Sequence, residues 1–298
     1  MNELQTILVA LDLSEMDLNL IRYTLRISKS MDIKKIILLH VASENSLKRS
    51  KKQHDKILQQ MKDTVAQASE NAADHYAIAY EITEGEPVAQ IQRVSKEQSC
   101  DIIVIGKKKI GDGTGTKARR LTRRSLCSVL TLTEVPASGV NKILLPIDFY
   151  EMSQRALKSA INFCRKSNAS LTCLHITKLP TGYHTSGKSP EEYANILKEH
   201  AEKRFQNLLK TMDAEDLSID FRVHFDQTNS KGAKIIFNIA LVEDADIIVM
   251  GSRGRSTIAA TLLGSTTEKL LVNNISIPTL VIKNKEKNLG FFEALLKI

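Results

Sequence analysis

At 298 residues the chain is long enough for one large α/β domain or two of about 150 residues each. Hydrophobic residues make up 42% and charged residues 26%, an ordinary globular balance that excludes large-scale disorder. The net charge of +8 is concentrated: eight cations and one anion lie between Ile105 and Leu126, so the basic excess describes one segment rather than the whole surface.

The opening residues, MNELQTILVALDLSE, run straight into a short apolar strand pattern at Ile7 to Asp12. They carry no basic leader and no small-residue cleavage site, so a cytoplasmic protein is expected. No window approaches about 18 consecutive apolar residues, which argues against a membrane span. An amphipathic helix follows in MDLNLIRYTLRISKSM, then a strand at Ile36 to Val41 and a long helical stretch from about Ser46 to Ala72. A third strand and helix lead to DIIVIG at Asp101 to Gly106, and a loop, a helix and the strand SVLTLT close the first unit. Val135 to Asn141, with Pro136 and Gly139, reads as a linker.

The same series then starts again, with a period of about 140 residues. Ile143 to Asp148 repeats the first strand, MSQRALKSAINFCRKS the helix, and Leu171 to Ile176 the second strand. A long helix is predicted over Pro190 to Met212, with Ser189 as N-cap, Pro190 at N1 and Glu192 as the capping-box acid. DIIVMG at Asp246 to Gly251 and PTLVIK at Pro278 to Lys283 complete the copy. Each unit alternates β and α from β to β, which predicts an α/β fold of two tandem Rossmann-like domains. Each would be a five-stranded, mostly parallel sheet with helices on both faces. Aromatics are scarce and Trp is absent, so these cores must rest on Ile, Leu, Val and Ala. The expected boundaries are 1–138 and 139–284, with a C-terminal helical tail over 285–298.

In the second unit the loop after the fourth strand reads GSRGRSTIAATLLGST, spaced Gly251-x2-Gly254-x9-Gly264-Ser265. Gly251 and Gly254 let the backbone turn and approach a ligand without a Cβ in the way. Gly264 and Ser265 open a helix whose free N–H groups and positive dipole end suit a phosphate, and Ser265 and Thr266 add hydroxyls. A GxxG alone arises in many structural loops. The full spacing, after a strand and ending at a helix start, points to a nucleotide. Walker A is absent.

This pattern resembles the signature of the nucleotide-binding universal stress proteins, and both repeats resemble that family nearly end to end. The resemblance implies the adenine nucleotide alpha hydrolase-like fold, ATP with Mg²⁺ held largely by its own phosphates, and a regulatory role in the stress response. It also implies site residues. Asp148 matches an aspartate near the adenine, preceded by Pro146 and Ile147, and Ile176 matches a residue whose backbone meets the base. Met250 and Gly251 match the ribose-side floor, while Arg253, between the two loop glycines, could reach phosphate. Asp148 could equally cap the helix that follows it.

The first unit departs from this pattern. Lys107, Lys108 and Lys109 follow Gly106, Ala10 replaces Pro146, and nine positions separate Gly106 from Gly115 where thirteen separate Gly251 from Gly264. The helix then opens with Lys117, Arg119 and Arg120, which oppose its dipole. Two readings stand: an anion held at this loop, with GDGTG (Gly111 to Gly115) as a nest, or a degenerate site with a solvated basic face.

No catalytic constellation is visible, so a non-enzymatic protein is expected. His40 and His175 fall at matching places and read as packed core residues, and His184 has no second metal ligand near it in sequence. Cys100, Cys127, Cys164 and Cys173 form no CxxC pair and read as buried, reduced thiols. Slow ATP hydrolysis or adenylyl transfer is one alternative. Nucleic-acid binding through the 107–124 stripe is another, weakened by its lack of interleaved aromatics. The family's pairing mode further implies that Ser128 to Thr133 and Pro278 to Lys283 bring the units face to face as a pseudo-symmetric pair within one chain. A homodimer through Phe291, Phe292 and Leu295 stays open.

Overall fold

The structure, a computed structural model, describes residues 5–44, 51–69, 76–108, 116–134, 139–180, 182, 187–226, 231–254, 263–274 and 276–285. Lys109, the Gly111–Gly115 run, His184 and the tail beyond Lys285 therefore lie outside the described residues.

The first unit contains β1 (Thr6–Leu11), α1 (Met16–Met31), β2 (Lys35–Ala42), α2 (Lys51–Ala68), β3 (Ala77–Glu84), α3 (Pro87–Glu97), β4 (Ile102–Lys107), α4 (Thr116–Arg124) and β5 (Ser128–Thr133). The second repeats the order with β6 (Lys142–Pro146), α5 (Glu151–Ser167), β7 (Ser170–Thr177), α6 (Pro190–Thr211), β8 (Ile219–Phe225), α7 (Gly232–Val242), β9 (Ile247–Gly251), α8 (Ser265–Asn273) and β10 (Thr279–Ile282). At α6 the expected cap is present: Ser189 accepts from the Glu192 N–H, and the Glu192 carboxylate accepts from the Ser189 N–H.

The strands form one sheet in the order β3-β2-β1-β4-β5-β10-β9-β6-β7-β8. Every neighbouring pair is parallel except β5 and β10, which run antiparallel with Leu130 opposite Leu280. The units thus join through the two last strands that the sequence singled out, but edge to edge in a continuous sheet rather than face to face. Two short, largely buried edge strands satisfy each other's open N–H and C=O groups in this way, which stacking the faces would leave unpaired.

Successive strand residues point to opposite faces, and both faces are covered, so the strands read as unbroken apolar runs. Ile7 and Val9 face a core shared with α1, α2, α5 and α6 that spans both units. Leu8 faces the opposite layer, built with α3 and α4. Leu144 faces the equivalent layer of the second unit, built with α7 and α8. All four cysteines are free and buried, and burial pushes the Cys100 thiol to about 12 and Cys164 to about 11. Such thiols stay protonated and make poor nucleophiles. Among the described residues, no helix is long and apolar enough to cross a membrane.

Candidate functional site

In each unit the chain leaves the first strand on one side and returns on the other for the fourth, so the order switches between β1 and β4, and again between β6 and β9. A crevice opens outside the carboxyl ends of strands at such a switch. In the second unit it is a cleft of about 330 Å³, within the range of small-molecule sites. Pro146, Ile147, Asp148, Ile176, Met250, Gly251, Arg253, Gly254, Gly264, Ser265 and Thr266 all line it. These positions lie up to 120 residues apart in sequence, and the fold gathers every one of them. Ile176 lies within β7, one residue from its end.

Asp148 holds the floor. Its Oδ1 accepts from the Tyr150 N–H at 3.0 Å and the Ser153 hydroxyl at 2.7 Å, fixing the turn into α5. Its Oδ2 faces Gly254, where an added Cβ would stand 2.6 Å from it. One carboxylate therefore both supports the helix start and borders the cleft. Phe149, the next residue, has φ 64°, a left-handed conformation unusual for an aromatic. It is held by the His175 ring at 5.0 Å and by the Arg204 guanidinium 4.6 Å above its own ring.

His175 Nδ1 donates to the Ile147 carbonyl at 2.8 Å, so this ring locks the strand end below Asp148. Burial pushes its pKa below the ordinary histidine value, although the Ile147 hydrogen bond works against that. His40 repeats the contact on Leu11 at 3.1 Å. Both histidines are structural ties.

The far wall is closed by short links. The Gly264 N–H donates to the Ser252 carbonyl at 2.8 Å, and the Thr267 hydroxyl donates to the Gly251 carbonyl at 3.1 Å. Together they bring the start of α8 against the end of β9. Gly264 is the N-cap of α8 without a side-chain cap, so N–H groups of its first turn are left available at the cleft. An added Cβ on Gly251 would stand 2.6 Å from the Met152 backbone carbon, so only glycine fits there. Ser153, Leu174, Gly232, Ile236 and Thr267 also line the cleft and were missed in the sequence. Ser153 and Thr267 had a signal: small hydroxyl residues in the first turns of the two helices that open on the cleft.

The first unit has a cleft of about 390 Å³ at the same place, so it has not collapsed. Its contents differ. Lys108 pairs with Asp12 at 2.9 Å, where the second unit has Arg253 and Asp148. Burial alone would raise the Asp12 carboxyl, but Ser14 hydrogen bonds and Lys108 outweigh it and hold the group below its usual value. Asp17 stands in place of Ser153 and accepts from the Asp12 and Leu13 N–H groups; burial pushes it up to about 6. Lys107 is 4% exposed and turns away from solvent, donating to the carbonyls of Leu271, Val272 and Asn274 at 2.7, 2.8 and 2.6 Å. Burial pushes its ammonium down to about 8. Arg120 lies 3.6 Å from Glu86. Three cations of the basic stripe are therefore engaged by the protein itself. Among the described residues, no group of three or more His, Cys, Asp or Glu is placed to hold a metal ion.

A protein-family model described as the universal stress protein family matches residues 3–132 and again 139–283. The chain belongs to the universal stress protein family. Universal stress protein MJ0577 of Methanocaldococcus jannaschii is 31% identical over 155 residues, covering 48% of this chain and 95% of its own length. Universal stress protein MJ0531 of the same organism is 29% identical over 161 residues, covering 52% of this chain and 91% of its own. Each of these relatives is about the size of one unit. A crystal structure of a universal stress protein from Archaeoglobus fulgidus matches the full architecture, with a TM-score of 0.69 at 18% identity over 95% of this chain and 99% of that one. The tandem arrangement of universal stress protein units is thus a fold shared with other solved chains.

Proposed function

We propose that this universal stress protein is a non-enzymatic, cytoplasmic regulator of the stress response that binds ATP, with its Mg²⁺, in the second-unit cleft. The observation that carries this reading is the convergence of Gly251, Gly254, Gly264, Ser265 and Thr266 with Asp148 around one cleft at a sheet switch point. The residues fit the group. Gly254 lets the loop pass close to the Asp148 carboxylate, and Ser265 and Thr266 offer hydroxyl and backbone donors at the start of α8. Pro146, Ile147, Ile176 and Met250 supply an apolar wall for the base and ribose. Asp148 Oδ2 is an acceptor on the adenine side, and Arg253 reaches the phosphate side. The Mg²⁺ would be held mainly by phosphate oxygens.

On this reading residues 1–138 form a unit whose cleft is degenerate, 139–284 the nucleotide unit, and 285–298 a separate tail. The two units act as a pseudo-symmetric pair within the chain. Nucleotide occupancy would bias the order of the cleft loops and so the binding of a partner protein. Buried, reduced thiols suit a cytoplasmic setting. The internal engagement of Lys107, Lys108 and Arg120 leaves less free charge for nucleic acid than the sequence suggests.

Mass spectrometry of small molecules released on denaturing freshly purified protein tests this, together with calorimetric titration by MgATP. An adenine nucleotide in the first and saturable binding in the second are expected. Release of no nucleotide and no heat of binding would sink the reading.

A further inference from the structure

Lys107 occupies the position that Ser252 holds in the second unit, directly after the glycine that ends the fourth strand. Its side chain leaves its own cleft, crosses the seam between units and ends at the C-terminus of α8, where three carbonyls converge on Nζ. Those are among the carbonyls that a helix end leaves without intrahelical partners. The sequence of α8 provides no basic residue in its last turn, so the cation there comes from the other unit. The helix has nine residues, about 14 Å, and the opposite end carries Ser265 and Thr266 on the cleft. A helix this short is marginal alone and depends on its ends and packing. The exchange is mutual: Lys283, just past β10, donates to the carbonyls of Arg123 and Ser125 at the end of α4.

We propose that Lys107 of the first unit is a positioning residue for the phosphate end of the second unit's cleft, acting through the α8 helix whose C-terminus it caps. The inference rests on the nucleotide reading of that cleft and goes beyond it by giving the first unit a part in the affinity of the second. Triple-lysine substitution in the first loop is then not mere decay of a ligand cradle: its first lysine has become a strut for the neighbouring one. Order at the C-terminus of α8 fixes the direction of its N-terminal N–H groups, and a positive charge at that end adds to the field seen by an anion at the other.

The test uses the full chain, with Lys107→Met as a near-isosteric change that removes the charge and donors, and Lys107→Arg as the conservative variant. Calorimetry measures MgATP and adenosine, and hydrogen exchange follows the amides of 265–274. About tenfold weaker MgATP binding is expected for Lys107→Met, with adenosine changed less than about twofold and α8 amides exchanging faster. Lys107→Arg should restore MgATP affinity toward wild type. Unchanged MgATP affinity in a folded Lys107→Met protein overturns the proposal, and so does an equal loss for ATP and adenosine, which marks general damage. Should Lys107→Met not fold, Lys107→Gln, which keeps a donor without the charge, carries the same comparison. If the wild-type chain takes up no nucleotide, the cleft reading fails and takes this proposal with it, whereas a wild type that binds MgATP beside a folded Lys107→Met protein with unchanged affinity overturns the proposal alone.

Discussion

Gly254 approaches Asp148 so closely that a Cβ on it would stand 2.6 Å from the carboxylate Oδ2. Any side chain at 254 must therefore push the Asp148 carboxylate aside or displace the loop. Gly254→Ala is expected to weaken MgATP binding by about 5- to 150-fold, the range that an overpacked contact of about 1–3 kcal/mol implies. Gly254→Val should abolish it. Circular dichroism should stay near wild type, because the loop lies outside the core. Normal titration curves for both variants would make the loop structural.

Gly251 differs from Gly254 in what it touches. Its neighbour is the Met152 backbone, at 2.6 Å from an added Cβ, and backbone inside a packed layer cannot step aside cheaply. Gly251→Ala is expected to cost about 1–3 kcal/mol of stability, a Tm lower by roughly 3–10 °C. Gly264→Ala, whose added Cβ meets ordinary contacts at 3.5 Å, should melt close to wild type. Thermal unfolding of the pair checks the contrast.

Nucleotide stoichiometry separates the two clefts. With Lys108 paired to Asp12 and the loop shortened by four residues, MgATP should titrate with a value near one per chain. A value near two would show that the first cleft also binds.

His175 gives a pH dependence with a definite sign. Its folded pKa lies below the ordinary value of about 6.5, so the unfolded chain binds the proton first. Its contribution to stability is present above about pH 6.5 and is lost as pH falls through the lower folded value. Asp17 works in the opposite sense. Raised to about 6, it favours the folded state most below its unfolded value, and that benefit is lost as pH rises through about 6. The measurement is therefore the difference between wild type and His175→Gln in denaturant midpoints from pH 7.5 to 5. The wild type should lose the greater stability on acidification. Parallel curves would remove His175 from the account.

Much of this was written in local sequence. Apolar runs such as ILVALD and DIIVMG end where β1 and β9 end, and the Ser189–Glu192 box starts α6 where its spacing says. Five cleft positions, Gly251, Gly254, Gly264, Ser265 and Thr266, lie in a local motif of glycines and a helix start, whereas Pro146, Ile147, Asp148, Ile176, Met250 and Arg253 were implied only by the resemblance to the family. Other features depend on contacts no local pattern encodes. Lys107 looks like one more surface cation until the fold brings it to Leu271, 164 residues away. Phe149 shares its left-handed backbone with Leu13 at the matching place of the first unit, so the turn after the strand-ending aspartate sets it, and the contacts with His175 and Arg204 hold the ring. An apolar edge strand predicts that something covers it, without saying whether the partner adds to the edge or stacks on the face.

The antiparallel seam between β5 and β10 carries an evolutionary freedom. When two identical chains pair along such a strand, every substitution appears on both sides, so a lysine that braces one half is repeated in the other. Within a single chain the two sides are separate letters. Residue 107 can be lysine while residue 252 stays serine, so a contact across the seam can run in one direction without its mirror image.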